Sequence, residues 1–406
     1  MNRDRSEKKK KLLMIVPMLH QGGFERVCVE TARILGNDLD ITILLFSDRD
    51  INYDISGINV VNINIPSEDG ALHKVFNALR RVYKVRRYKK TQNIDYCYSF
   101  GSSANIVNVL SGFCGKTKVI VGLRSSLDMR KKSLIKLYIR FSDVIIACSK
   151  EIKSGLEKEY GYYKAVLIYN PVDIDKLMAL SNEDGLGAPY FPEEKGIKKL
   201  VMLGREDWIK GYWHLIKAIS VLVKKLPEVR LVIAGAGDFS KYMELAENLG
   251  VENYINFTGL LLNPFPCVKE ADLYVLSSNI EGHPNALIEA MALGKPCIAT
   301  DCRSGPREVI LSDNEYQALY SEHPYESTQK TIYGEYGVLI KDMSCNVDLR
   351  PVVTEEDENL AREIERFICD PKLLKYYGKK SLEKAKQLSP QRYKEELLEV
   401  LMSLDQ

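Results

Sequence analysis

The sequence predicts an α/β protein made of two Rossmann-like domains in tandem, each a parallel sheet covered by helices. Three observations carry that expectation. Short apolar runs alternate with longer helical patterns, the signature of parallel strands joined by helical crossovers. The two halves open alike, each with a basic residue, an apolar strand, a glycine-bearing loop and a helix. The chain has 406 residues, more than one hydrophobic core usually supports.

In the first half, apolar runs predict strands at Lys11–Val16, Ile41–Phe46, Val60–Ile63, Tyr96–Ser99, Lys118–Val121 and Val144–Ala147. Helices fall between them, including Glu25–Leu35 and Leu72–Tyr88. The boundary follows Tyr169-Asn-Pro-Val-Asp173, where Pro171 breaks regular structure. In the second half, strands are expected at Lys199–Leu203, Arg230–Ala234, Ile255–Thr258, Leu273–Leu276 and Pro296–Ala299. Ser181–Lys195 is rich in Gly, Pro and acids and reads as a loop, and Ser312–Tyr336 is polar, weakly patterned and reads as a second excursion. Ser389–Leu404 has the spacing of an amphipathic helix. The expected division is therefore 1–172, 173–385 and a final segment 386–406.

Composition narrows the function classes. Hydrophobic residues are 45% and charged residues 28%, ordinary for a soluble globular protein. The net charge of +2 gives no whole-molecule field for nucleic acid. The nine cysteines are scattered without a C-x-x-C pair, which reads as reduced thiols in the cytoplasm. No apolar run reaches the length of a membrane span. Met1–Lys11 is charged, and Leu12–Leu19 is short and holds Pro17, so it reads as a first strand rather than a signal peptide.

The chemistry concentrates in Glu281-Gly-His-Pro-Asn-Ala-Leu-Ile-Glu289. A strand-like run, Ala271–Ser278, precedes it, and an apolar helix pattern (Ala286, Leu287, Ala290, Met291, Leu293) runs through it to Gly294. Pro284 suits the first helical position and Gly294 the stop. A helix entered this way points backbone N–H groups at whatever lies before it, which makes an anion site. Glu289 then sits roughly 7.5 Å up the axis, at about 1.5 Å per residue, while Glu281 stays in the loop. Carboxylates repel phosphate, so these two suit hydroxyls on either side of it. A sugar, a diphosphate and a ribose fit that order. The competing reading is a surface helix with ordinary solvated glutamates.

Other loops at carboxyl ends of expected strands add to the pattern. Gly22-Gly23 lets a ligand approach the backbone, though glycine pairs often just make a turn, and the G-x-G-x-x-G dinucleotide fingerprint is absent. Gly204-Arg205, with Lys210-Gly211 after it, can clamp a diphosphate or simply carry two solvated cations. Gly235-Ala-Gly-Asp238 leaves room for a nucleoside against the backbone, or is a plain turn. In Asp301–Glu308, Gly305-Pro306 shapes a turn and Glu308 suits capping of the next helix. Doubly wound sheets bind ligands at this edge, so two such edges facing each other would hold the ligand in a cleft. Arg205 and Lys210 would neutralise a leaving diphosphate, a role other enzymes give to Mg²⁺. The pairs Asp38/Asp40, Asp48/Asp50 and Asp173/Asp175 read as loop acids, and no metal or cofactor is expected.

His73–Lys90 carries Lys74, Arg80, Arg81, Lys84, Arg86, Arg87, Lys89 and Lys90 with no acid. Val75, Phe76, Leu79, Val82 and Tyr83 form its apolar stripe. The ordinary reading puts the stripe in the core and the cations in water. The sharper one is a patch for anionic lipid or a pyrophosphate-bearing acceptor. Arg130–Arg140 is a second basic amphipathic stretch with the same two readings.

Together these pieces resemble the retaining family-4 glycosyltransferases of GT-B fold, of the bacterial cell-surface polysaccharide type. The matching segments are GGFERV at Gly22–Val27, YNPVD at Tyr169–Asp173, GR…KG at Gly204–Gly211, GAGD at Gly235–Asp238, EGHPNALIEAMALGKPCIATD at Glu281–Asp301 and SGPREVI at Ser304–Ile310. The resemblance implies two Rossmann-like domains facing across a cleft, acceptor side first and donor side second, with the last helix packing back on the first. It implies catalytic roles for Glu281, Arg205 and Lys210, the two cations on the diphosphate. Glu289 would hold the ribose. Glu281 and the backbone of Gly282, His283, Pro284 and Asn285, with Ala286, would meet the transferred sugar. Gly22, Gly23, Gly204 and Gly235 would line the donor. Arg124 stands where many relatives carry a histidine near the donor sugar.

The implied activity is metal-independent transfer of a sugar from a nucleoside diphosphate donor with retention of configuration. UDP is expected on frequency alone. The implied acceptor is a saccharide or lipid-linked saccharide in surface polysaccharide synthesis, such as lipopolysaccharide or capsule. The implied setting is the inner face of the cell membrane. Three rivals stand beside it. An NAD(P)-dependent oxidoreductase would need the missing glycine fingerprint and its acid roughly 20 positions on. A non-catalytic nucleotide-sugar binder has no need of the full Glu, Arg and Lys set. A GT-B epimerase or phosphorylase shares the fold.

Overall fold

The computed structural model describes residues 9–20, 22–49, 51–66, 70–183, 189–322 and 326–406. The charged leader through residue 8, Asp50, 184–188 of the Ser181–Lys195 loop and 323–325 of the Ser312–Tyr336 segment lie outside them. The chain divides into two units, Met1–Pro171 with Pro390–Gln406, and Val172–Ser389.

The first unit runs β1 (Lys11–Val16), α1 (Gly23–Leu35), β2 (Asp40–Leu45), β3 (Asn59–Asn62), α2 (Ala71–Gln92), β4 (Tyr96–Phe100), α3 (Ser102–Gly112), β5 (Lys118–Leu123), α4 (Ser126–Met129), α5 (Lys132–Phe141), β6 (Val144–Ala147), α6 (Lys150–Tyr160) and β7 (Val166–Leu167). Its seven strands lie in the order β3-β2-β1-β4-β5-β6-β7 and pair in parallel throughout. Successive strand side chains point to opposite faces, and both faces are covered. Leu12, Met14 and Val16 of β1 pack with Val27, Cys28 and Leu35 of α1. Leu13 and Ile15, facing the other way, pack with Val85 of α2 and with Ala104 and Val107 of α3.

The second unit holds α7 (Ile174–Ser181), β8 (Lys198–Leu203), α8 (Tyr212–Leu222), β9 (Val229–Ala234), α9 (Ser240–Asn248), β10 (Ile255–Gly259), α10 (Phe265–Glu270), β11 (Leu273–Leu276), α11 (Asn285–Ala292), β12 (Cys297–Thr300), α12 (Pro306–Ile310), α13 (Asp313–Glu322), β13 (Ile332–Tyr333), β14 (Val338–Ile340), α14 (Glu355–Ile368) and α15 (Pro371–Lys386). The strand order is β10-β9-β8-β11-β12-β14-β13, parallel except for the final antiparallel pair. The Ser312–Tyr336 segment is thus more than an excursion, because it supplies α13 and the edge strand β13. The last helix, α16 (Pro390–Ser403), belongs to the first unit. Its Tyr393, Leu397, Val400 and Leu401 are buried, and the Tyr393 and Thr31 hydroxyls share a 2.8 Å hydrogen bond.

Two polar features inside the second unit shape its energetics. His214 of α8 sits between an Asp357 carboxylate oxygen at 2.6 Å and the Ser344 carbonyl at 3.0 Å. Asp357 also accepts from the Thr354 N–H and hydroxyl, both at 2.8 Å, in a capping box that starts α14. Asp342, just past β14, is half-buried, and burial pushes its carboxyl up to about 7, with the charges of Asp301 and Glu356 adding to the rise against an opposing Met343 N–H.

That shift has a definite sign. The folded chain keeps the Asp342 proton to a higher pH than the unfolded chain, whose aspartates titrate near 4. Stability therefore falls as pH rises between those two values and stays low above the upper one. Asp342→Asn is expected to be more stable than wild type by about 1–2 kcal/mol at about pH 8, and equal to it near pH 4. Urea midpoints at the two pH values check this. A variant less stable than wild type at both would contradict it.

Candidate active site

The second unit gathers its chemistry at the carboxyl ends of β8, β9, β11 and β12. After β8 the chain passes Gly204 and Arg205, makes one 3₁₀ turn at Trp208–Lys210, and enters α8 through Gly211. Gly211 has φ +62°, and a Cβ there would lie 2.2 Å from the Ser277 carbonyl oxygen. Asn279 donates its N–H to the Ile209 carbonyl at 2.7 Å, and the Ser277 hydroxyl donates to the Lys210 carbonyl at 3.1 Å. These contacts fasten the Lys210 turn to the end of β11. The result is a 2.7 Å hydrogen-bonded ion pair between Lys210 Nζ and Glu281 Oε1, with the side chains only 17% and 10% exposed.

A charged pair so shielded interacts more strongly than a surface pair and depends more on both members. Arg205 differs. Its side chain is 55% exposed and meets Asp207 at 3.2 Å. It stands on the same loop as Lys210 and is open to solvent. The buried Tyr212 hydroxyl holds the loop from below by donating to the Gly204 carbonyl at 2.6 Å.

The glycines of the β9 loop prove to serve the protein's own packing. A Cβ on Gly235 would fall 1.7 Å from the Gly204 carbonyl oxygen. Gly237 has φ +127°, and its Cβ would meet that of Glu206 at 2.4 Å. The side of Gly235 where a Cβ would stand is therefore taken by the neighbouring loop.

On the β11 side, Pro284 occupies the N-cap position and α11 starts at Asn285, one residue later than the sequence reading. The first three N–H groups of a helix have no acceptor within it. The Ile288 N–H bonds back to Pro284 at 3.1 Å, so Asn285, Ala286 and Leu287 hold those leading positions. Below them, the Gly282 carbonyl accepts from the Ser304 hydroxyl at 3.1 Å. Ser304 and Gly305 are both left-handed, at φ +71° and +89°, and a Cβ on Gly305 would clash with the Gly282 oxygen at 2.6 Å. A left-handed serine is strained and persists only where its surroundings fix it. Gly282, His283 and Pro284 are buried on this support, while Asn285 and Ala286 are half-buried. Glu289 is the fifth residue of α11 and is buried at 8% exposure. Glu308 lies in the first turn of α12 behind this support, and is also buried.

The structure thus brings Lys210 and Glu281 into contact, ties them by chain continuity to the start of α11, and sets Arg205 on the loop that carries Lys210. Asn279 was not singled out from sequence. Its carboxamide is buried at 2% exposure, and neither end has a hydrogen-bond partner among the described residues. The only sequence signal for it was its place two residues before Glu281. Among the described residues no cluster of three or more His, Cys, Asp or Glu side chains forms a metal-binding group.

The first unit's expected donor residues are engaged within that unit. The Gly22 N–H donates to the Tyr53 hydroxyl at 2.9 Å, and that hydroxyl donates to the Gly22 carbonyl at 2.7 Å. The side where a Gly22 Cβ would stand is filled by the Glu25 carboxylate, 2.2 Å from that point. The Gly22 amide is thus used by Tyr53 within the first unit. Arg124 is likewise turned inward. Its guanidinium donates to Asn170 Oδ1 at 2.8 Å and to the Tyr98 hydroxyl, and lies 5.0 Å from the Phe100 ring centre. A buried cation so enclosed braces β4, β5 and the 170 loop.

Comparison with known proteins agrees with this arrangement of two sheets. The profile described as "Glycosyltransferase Family 4" matches residues 21–176, and "Glycosyl transferases group 1" matches residues 197–332. An uncharacterised glycosyltransferase of Methanocaldococcus jannaschii is 30% identical over 335 residues, 77% of this chain and 80% of the relative. The N-acetylgalactosamine-N,N'-diacetylbacillosaminyl-diphospho-undecaprenol 4-alpha-N-acetylgalactosaminyltransferase of Campylobacter jejuni is 25% identical over 76% of this chain and 85% of its own. Among solved structures, Anabaena HepE in complex with UDP superposes with a TM-score of 0.69 at 18% identity, covering 97% of this chain and all (100%) of that one. The chain is a family-4, group 1 glycosyltransferase of GT-B fold.

Proposed function

We propose that this glycosyltransferase takes its sugar from a UDP-linked donor and moves it, with retention of configuration and without a metal ion, to a lipid-linked saccharide used in surface polysaccharide. The observation that carries the reading is the shielded Lys210–Glu281 pair beside the start of α11. A diphosphate laid there meets one cation held in place, a second on the same loop at Arg205, and the N–H groups that open α11. Glu289, one turn into the helix, is assigned to the ribose hydroxyls. Glu281, with Gly282, His283, Pro284, Asn285 and Ala286, is assigned to the transferred sugar.

In this reading the leaving diphosphate departs on the face where the acceptor attacks and helps take the acceptor's proton. Lys210 and Arg205 stabilise the charge that grows on it. The first unit is assigned to the acceptor, and Gly23 beside the start of α1 to donor phosphate. HepE bound to UDP supports the choice of nucleotide, and the Campylobacter relative, named for an undecaprenol diphosphate-linked substrate, supports a lipid-borne acceptor. The proposed place of work is the cytoplasmic face of the cell membrane.

A thermal-shift screen of nucleoside diphosphates and their sugars tests this. A ligand at about 100 times its dissociation constant adds about 2.7 kcal/mol to stability. UDP and one UDP-sugar are expected to raise the melting temperature above every other nucleotide. A response to nicotinamide dinucleotides alone, or none to any nucleotide-sugar, would overturn the proposal.

A further inference from the structure

We propose that the outward face of α2 docks this protein on an anionic lipid bilayer. The ordinary reading of His73–Lys90 put its apolar stripe in the core; Val82 does pack there, but the other four members face outward. Val75, Phe76, Leu79 and Tyr83 stand between 60% and 67% exposed, and their spacing sets them on one arc of the helix. The buried face is the opposite one, made by Asn77, Val85 and Lys89. There the Lys89 ammonium donates to the Asn108 side chain at 2.8 Å, and Arg81 and Lys84 donate to the Ile65 and Ile63 carbonyls at 2.9 Å and 2.7 Å.

The cations left outward are Lys74, Arg80, Arg86, Arg87 and Lys90, all exposed. Arg80 lies over the Phe76 ring at 5.6 Å, and no Asp or Glu occurs anywhere on the helix. The second basic stretch provides an internal contrast. In α5, Ile135 and Tyr138 are buried, and Leu134, Leu137 and Ile139 pack against the core. There the ordinary amphipathic arrangement holds, so basic composition alone does not push apolar groups outward.

Charge complementarity identifies the occupant. Large apolar side chains and cations share one arc with no acid among them. A bilayer surface offers hydrocarbon for the first at the depth where anionic headgroups meet the second. Arginine and lysine stems lie along the apolar zone while their heads reach the phosphates. The proposal rests on the reading of a lipid-borne acceptor, because docking would hold the enzyme where that substrate resides.

The test is flotation of the full chain with phosphatidylcholine vesicles, plain or mixed with phosphatidylglycerol. Wild type is expected to bind the mixed vesicles, to ignore the neutral ones, and to detach as salt rises. Arg86→Gln with Arg87→Gln is expected to weaken binding about 30-fold, roughly fivefold per cation. Phe76→Ser with Leu79→Ser is expected to abolish it. All four positions are exposed, and circular dichroism checks that both variants fold. UDP should raise their melting temperatures as it does in wild type. Loss of that response in every protein, wild type included, would count against the donor reading and leave the docking result to stand alone. Equal binding to both vesicle types, no binding to mixed vesicles, or wild-type binding by both variants would overturn the proposal. So would a dimer that both variants abolish, since the face would then belong to a second copy of this chain.

Discussion

Lys210→Ala is expected to lower kcat/KM for sugar transfer by about 10- to 150-fold while leaving the fold intact. A charge-assisted hydrogen bond is worth about 1.5–3 kcal/mol, and a transition-state loss of that size gives the quoted range. The low exposure of the Lys210 and Glu281 side chains puts the effect toward the upper end. Removing the ammonium also takes away the cation that faces both the Glu281 carboxylate and an incoming diphosphate. Arg205→Ala should cost less, because that side chain is 55% exposed and already meets Asp207. Steady-state kinetics on the variants checks the order. The double variant Lys210→Ala with Glu281→Ala, read by UDP affinity because Glu281 is assigned to the transferred sugar, separates two explanations. If Lys210 only neutralised Glu281, the pair removed together would bind UDP as wild type does. If it grips the diphosphate, the double variant binds UDP as weakly as the single one.

His214→Ala is expected to destabilise the protein by about 3 kcal/mol, near the upper end of the cost of leaving a buried polar group without its hydrogen-bond partner. The side chains of His214 and Asp357 are 3% and 0% exposed. The Asp357 carboxylate faces one ring nitrogen and the Ser344 carbonyl the other. Alanine would leave the Asp357 carboxylate with the Thr354 contacts alone, in a site closed to water. It would also loosen α8 from α14, the helix pair this contact joins. The melting temperature should fall by roughly 10 °C for a unit of this size. Differential scanning calorimetry checks this. Donor binding by the variant at low temperature should stay close to wild type, since His214 lies on the buried side of α8. A change below about 0.5 kcal/mol, the scale of ordinary surface substitutions, would show that the pair contributes little.

Much of the fold was legible because parallel strands buried on both faces are written as short apolar runs. Lys11–Val16, Val144–Ala147 and Leu273–Leu276 stand at the residues expected. What escaped was too short to carry a pattern. Val166–Leu167 and Ile332–Tyr333 are two-residue strands at sheet edges, and Val338–Ile340 offers three residues inside a polar stretch. The orientation of α2 escaped for another reason. Periodicity reports a stripe but not which side is covered, and here the covered side holds Asn77, which donates to the Pro66 carbonyl, and Lys89, which donates to Asn108 of a different helix.

The site divides in the same way. Glycines, cations and acids at strand ends mark a loop as chemical, so Lys210 and Glu281 were visible singly. Their pairing was not, because 71 positions separate them and β11 must lie beside β8 to bring them together. At Gly235 the sequence shows a missing side chain but not what fills the gap, which is the Gly204 carbonyl. At Arg124 it shows a cation but not the Tyr98, Phe100 and Asn170 enclosure that confines it.

Everything functional turns on whether Lys210, Glu281 and the start of α11 hold a nucleotide diphosphate. Calorimetric titration of UDP into wild type, Lys210→Ala and Glu289→Ala addresses that directly. Saturable binding to wild type, weakened at least about tenfold in both variants, is the predicted result. Equal affinity in all three proteins would contradict it.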